Sequence, residues 1–71
     1  MVYVYHAVLD IKWESGMDYG LFHKKADAKK ACQDEQPDAV IVWDNSDRNR
    51  SFAPSSVFSD GIWTVTRRPV R

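Results

Sequence analysis

The stretch MVYVYHAVLDIKW, residues 1–13, decides how the rest of the chain is read. Tyr3, Tyr5, Ala7, Leu9, Ile11 and Trp13 occupy one phase of a two-residue alternation, and Val2, Val4, His6, Val8, Asp10 and Lys12 occupy the other. Successive side chains of a strand point to opposite faces, so the first phase is wholly apolar while the second runs from apolar to charged. The pattern predicts a long strand with one buried face, and a sheet to hold it.

Working outward, Glu14-Ser15-Gly16 reads as a tight connection, and residues 17–22 resume an extended pattern, which predicts an antiparallel hairpin. Residues 24–35 change period. Ala28, Ala31 and Cys32 share a helical face, and Lys24, Asp27, Lys30 and Asp34 stand three or four apart. A face of such small residues lets a helix approach the sheet closely, and Pro37 stops it by Glu35 or Gln36. Residues 39–43, Ala-Val-Ile-Val-Trp, read as a buried strand. Residues 44–60 read as a long irregular loop, with a short edge strand around residues 50–53. Ser59-Asp60-Gly61 is a turn signal, after which residues 62–67 alternate as a last strand and Pro69 closes the sheet edge. The expected fold is α+β: a small antiparallel sheet of about four strands, in the order strand, strand, helix, strand, strand, with one helix on one face. A single helix cannot cover both faces. The other face, or an edge, is then left for a partner, a second copy of the chain included.

At 71 residues the chain has room for one domain, 1–71, and domains of this size bury only roughly 60 to 65% of the surface exposed when unfolded. The core is therefore thin. Nine aromatic residues supply the bulk that two leucines do not. The lone Cys32 forms no internal bridge, which fits a reducing cytoplasm. The amino terminus has no basic region or cleavage site of a signal peptide, and no apolar run approaches the roughly 20 residues that span a bilayer. A cytoplasmic protein without a membrane segment is expected.

Net charge is zero but unevenly placed: residues 1–44 hold five Lys against eight Asp and Glu, and residues 45–71 hold five Arg against two Asp. Arginine suits planar, bidentate recognition of carboxylates and phosphates, which makes Arg48, Arg50, Arg67, Arg68 and Arg71 candidates for a contact surface. Trp63 joins them because Trp, Tyr and Arg are over-represented at binding hot spots. The competing reading is that the two halves attract one another and that the rings fill the core. No Gly-rich phosphate cradle, nucleophile elbow, paired histidines or cysteine pair is present, so neither an enzyme nor a cofactor is expected. His6 and His23 stand apart, and Asp10, Glu14 and Asp18 lack the carbonyl ligands of a calcium loop; no metal site is expected.

The order of elements and the tail Gly61-Ile62-Trp63-Thr64-Val65-Thr66-Arg67-Arg68-Pro69-Val70 resemble the short early bacteriophage inhibitors of bacterial RNA polymerase, whose last strand also ends in Thr-Arg and then Arg-Pro. In that family one residue separates the two arginines and they share a strand face. Arg67 and Arg68 are adjacent and should point to opposite faces. The resemblance implies a phage-encoded protein that binds and modulates a bacterial host protein in the host cytoplasm. The expected function is thus non-enzymatic protein binding through Arg48, Arg50, Trp63, Arg67 and Arg68. The rival is a nucleic-acid binder using the Arg-rich second half, opposed by the neutral overall charge.

Overall fold

A computed structural model describes residues 2–11, 16–56 and 60–70. The elements are β1 (Val2–Ile11), β2 (Met17–Phe22), α1 (Lys25–Asp34), β3 (Asp44–Asp47), β4 (Arg50–Pro54) and β5 (Gly61–Val70). They form an α+β structure with one antiparallel sheet in the order β2-β1-β5-β4-β3, five strands where about four were expected. The first and last strands pair along their whole length, from Val2↔Val70 to Ile11↔Gly61, and α1 lies over β2, β1 and β5.

The alternation of β1 has the expected phase. Ala7 and Leu9 are buried and Tyr5 and Ile11 pack against the same core; Trp13 falls outside the described residues. Ala28 and Cys32 carry α1 onto the sheet, where they meet Trp63 and Val65 of β5 in one cluster with Ile41 and Ala53. Trp63 is fully buried, and its ring packs against Tyr19 at a centroid separation of 5.5 Å. Tyr19 reaches it from a bulge. Between the pairs Ala7↔Gly20 and Val8↔Asp18 strand β2 carries one extra residue, and Gly20 takes φ 103°, a left-handed conformation that L side chains resist.

Two expectations fail here for physical reasons. Residues 39–43 are not a strand: Ile41 is buried, but Val40 and Val42 point into solvent, and side chains satisfy the backbone in place of a neighbouring strand. The Gln33 carbonyl oxygen accepts from Ile41 N (2.8 Å), and its amide donates to Ala39 O (2.8 Å) and Gln36 O (2.7 Å). The short strand expected around residues 50–53 is present as β4, but inside the sheet rather than at its edge, because residues 44–47, expected as loop, form the edge strand β3 and complete a hairpin. Asp47 Oδ1 accepts from Asn49 N (2.8 Å) at a two-residue turn, Arg48-Asn49, and small Ser51 and Ala53 point inward along β4. Asn45 ties this hairpin to the helix by accepting from Lys29 Nζ (2.8 Å) and Ser51 Oγ (2.7 Å), while Lys29 also lies 5.5 Å from the Trp43 ring centroid. Pro69, expected to close the sheet edge, lies within β5, the middle strand of the sheet. Arg67 N donates to Asn49 O on the β4 side, so residue 69 faces the same side, beyond the end of β4, where no strand waits for its missing N–H.

Candidate binding face

The helix and the coil after it cover one face of the sheet; the other carries the even-numbered residues of β1, β4 and β5. Cross-strand pairing sets them in rows. His6, Thr66 and Arg50 form one row across β1, β5 and β4, and Val8, Thr64 and Phe52 form the next. Arg68 lies opposite Val4 at one end, and Ile62 lies between Asp10 and Pro54 at the other. Val2, Leu21, Phe52, Ile62 and Val70 are large apolar side chains left exposed on or beside this face.

Two polar ties fix its left and lower margins. His6 Nε2 and Asp18 Oδ2 are 2.9 Å apart and link β1 to β2, and the Asp18 carboxyl is held below its ordinary value by the hydrogen bond with His6 and by the Gly20 N–H, which donates to Oδ1 at 2.8 Å. Thr64 Oγ1 donates to Asp10 Oδ2 at 3.0 Å, joining β5 to β1. Between them lies a concavity of about 230 Å³, with His6, Thr66, Arg50 and Arg68 at one end and Val8, Thr64 and Asp10 at the other. Among the described residues neither the Arg50 nor the Arg68 guanidinium has a hydrogen-bond or ion-pair partner. A second depression, about 360 Å³ between α1 and β2, sets Lys30 between Asp27 and Asp34, which offset its charge.

The five residues expected at a contact surface are thus separated by the fold. Arg50 and Arg68 line the same concavity, and Arg48 is exposed in the β3–β4 turn. Arg67 points to the opposite face, as the strand period requires; its guanidinium lies 4.3 Å from the Tyr3 ring centroid and Nη2 donates to Asn49 Oδ1 at 2.8 Å. That arginine is committed to joining β1, β5 and the turn. Trp63 is a correction: at 0% exposed it belongs to the core and offers no surface to a partner. Arg71 lies outside the described residues. Sequence reasoning missed His6 and Thr66. Both stand on the less apolar phase of their strands, and only the β1–β5 register brings them together.

Among the described residues no group of three His, Cys, Asp or Glu side chains converges, and no helix is long and apolar enough to cross a membrane. Cys32 is buried, and burial pushes its thiol up to about 11. No protein family, curated protein or solved structure was found to match the chain.

Proposed function

We propose that the protein is a non-catalytic binding module that engages another protein through the open face of its sheet. One observation carries the reading: α1 packs on one face only, and the opposite face combines exposed Val2, Leu21, Phe52, Ile62 and Val70 with two guanidinium groups that have no partner among the described residues. An apolar patch with arginine beside it is the composition of protein contact surfaces. The tail's resemblance to early phage inhibitors supports the specific form of this reading, in which the partner is a bacterial host protein and binding blocks its action.

Ile62 is 47% exposed on the open face, so Ile62→Asp should leave the fold intact and remove binding. The test is affinity capture from bacterial lysate. Wild type and Lys30→Asp, altered on the outside of the helix, should retain the same protein, and Ile62→Asp should lose it. Equal capture by all three would refute the reading.

A further inference from the structure

The cationic end of the open-face concavity has a chemistry more specific than a contact patch. His6, Thr66 and Arg50 are consecutive neighbours across three strands, about 5 Å apart at their Cβ atoms, and Arg68 lies diagonally beyond at about 7–8 Å, within reach of a long side chain. All four side chains line one hollow. The set offers two guanidinium forks, a hydroxyl and an imidazole, three of them in one cross-strand row and Arg68 diagonal to it. Asp18 holds one nitrogen of His6 and so orients the ring. The nearest carboxylate in the hollow, Asp10, sits four residues along β1 from His6, about 13 Å away by strand rise, and already accepts from Thr64.

A carboxylate has two oxygens in one plane and a single charge, which one arginine satisfies. Two guanidinium groups, a hydroxyl and an imidazole lining one hollow offer more donors than a carboxylate takes up and match a tetrahedral dianion, whose three free oxygens accept several hydrogen bonds. The setting also discriminates. A polynucleotide would place further phosphates beside this point, where Asp10 and Asp18 line the same face, and the chain's zero net charge supplies no long-range attraction for a polyanion. A single phosphate meets this acidic surround once, beside Asp18, where a polynucleotide meets it again at each neighbouring phosphate, and it needs no long-range attraction of a polyanion.

We infer that the hollow formed by His6, Thr66, Arg50 and Arg68 is a binding site for a phosphomonoester, carried as a phosphorylated side chain on the protein partner. The inference rests on the open-face reading and gives that face its specificity: the phosphate anchors the partner, and Phe52, Ile62 and Leu21 receive the flanking apolar residues. Its charge and oxygens would create the charge-assisted hydrogen bonds that phosphorylation supplies in ordering an interface.

The test is an NMR titration of the isotope-labelled full chain at constant ionic strength, using as probes a capped alanine-phosphoserine-alanine tripeptide, the same peptide with serine, inorganic phosphate, and a short single-stranded oligonucleotide. The phosphopeptide should give saturable shifts centred on His6, Thr66, Arg50 and Arg68 and bind at least about tenfold more tightly than the serine peptide. Inorganic phosphate should move the same amides more weakly. Arg50→Ala and Arg68→Ala, both at exposed positions and checked for an unchanged amide spectrum, should each weaken the phosphopeptide by about tenfold. Equal binding of the two peptides, or indifference to both arginine substitutions, would overturn the site. So would tighter binding of the oligonucleotide, which would assign the surface to nucleic acid. The two readings fail separately. Capture lost in Ile62→Asp but kept in the arginine variants leaves the contact face and removes the phosphate site; phosphopeptide binding with capture kept in Ile62→Asp does the reverse.

Discussion

Replacing Gln36 tests how this thin core is assembled. Gln36 is 2% exposed, and its Oε1 accepts two hydrogen bonds, from the Trp63 indole N–H at 2.9 Å and from Ser56 N at 2.7 Å. Gln36→Met keeps the volume and removes the acceptor, together with the long Nε2–H···O bond to Ala39 O (3.4 Å), whose oxygen keeps its donor from Gln33. The Trp63 N–H has no route to water because the residue is 0% exposed, so orphaning it costs about 1–3 kcal/mol. Ser56 is exposed, and its N–H regains solvent at a smaller cost, about 0.5 kcal/mol. The sum, about 1.5–3.5 kcal/mol, is a large share of the roughly 4–10 kcal/mol available to a 71-residue domain. In urea, where m is about 1 kcal/mol/M for so small a protein, the midpoint should fall by about 2 M, followed by tryptophan fluorescence. A second variant isolates the bond. Trp63→Phe removes the donor, and the double variant should recover about 1 kcal/mol relative to the sum of the single losses. A Gln36→Met loss under about 0.5 kcal/mol, or strict additivity, would refute the claim that Gln36 pins the coil of residues 35–43 to the core.

Asp18→Asn should lower the melting temperature at neutral pH, and the difference should vanish on acidification. The Asp18 carboxyl is held below its ordinary 3.8 in the fold, so its contribution is present above that value and is lost as pH falls through the lowered one; a gap that does not shrink at all as pH falls below 3.8 would contradict this. Gly20→Ala meets no neighbouring atom but must hold φ 103°, so it should destabilise by about 1–2 kcal/mol in thermal unfolding through backbone strain alone, and no loss would mean that the β2 bulge is not as described. Cys32, buried and with its thiol raised to about 11, should resist alkylation at pH 8 in the native protein and react fully in denaturant; rapid native labelling would show that α1 does not seal the core.

What the sequence disclosed and what it hid divide along one physical line. Periodicity reports which face of an element meets the core, and where burial is strong it was legible: the β1 alternation set the sheet face, the Ala28–Cys32 spacing set the helix face, and adjacency placed Arg67 and Arg68 on opposite sides. Strand β4 was legible around residues 50–53, but its partner β3 was hidden because Asp44-Asn45-Ser46-Asp47 is wholly polar and exposed and shows no apolar alternation. Residues 39–43 misled in the opposite sense. Their branched side chains favour a strand, but the Gln33 amide captures the backbone first, a tertiary contact that local propensity does not contain. The candidate site was half legible. Arginine chemistry singled out Arg50 and Arg68, whereas Trp63 was drawn into the core and His6 and Thr66 became visible only through the β1–β5 register.

Site-directed photo-crosslinking tests the central claim, that the open face is the contact surface, most directly. A benzophenone side chain placed at Ile62 on the open face, or at exposed Lys30 on the helix side of the sheet, is irradiated in bacterial lysate, and covalent adducts are resolved by mass. The account predicts one discrete protein adduct from position 62, competed away by unlabelled wild type, and none from position 30. An adduct from position 30 with none from position 62 would contradict it.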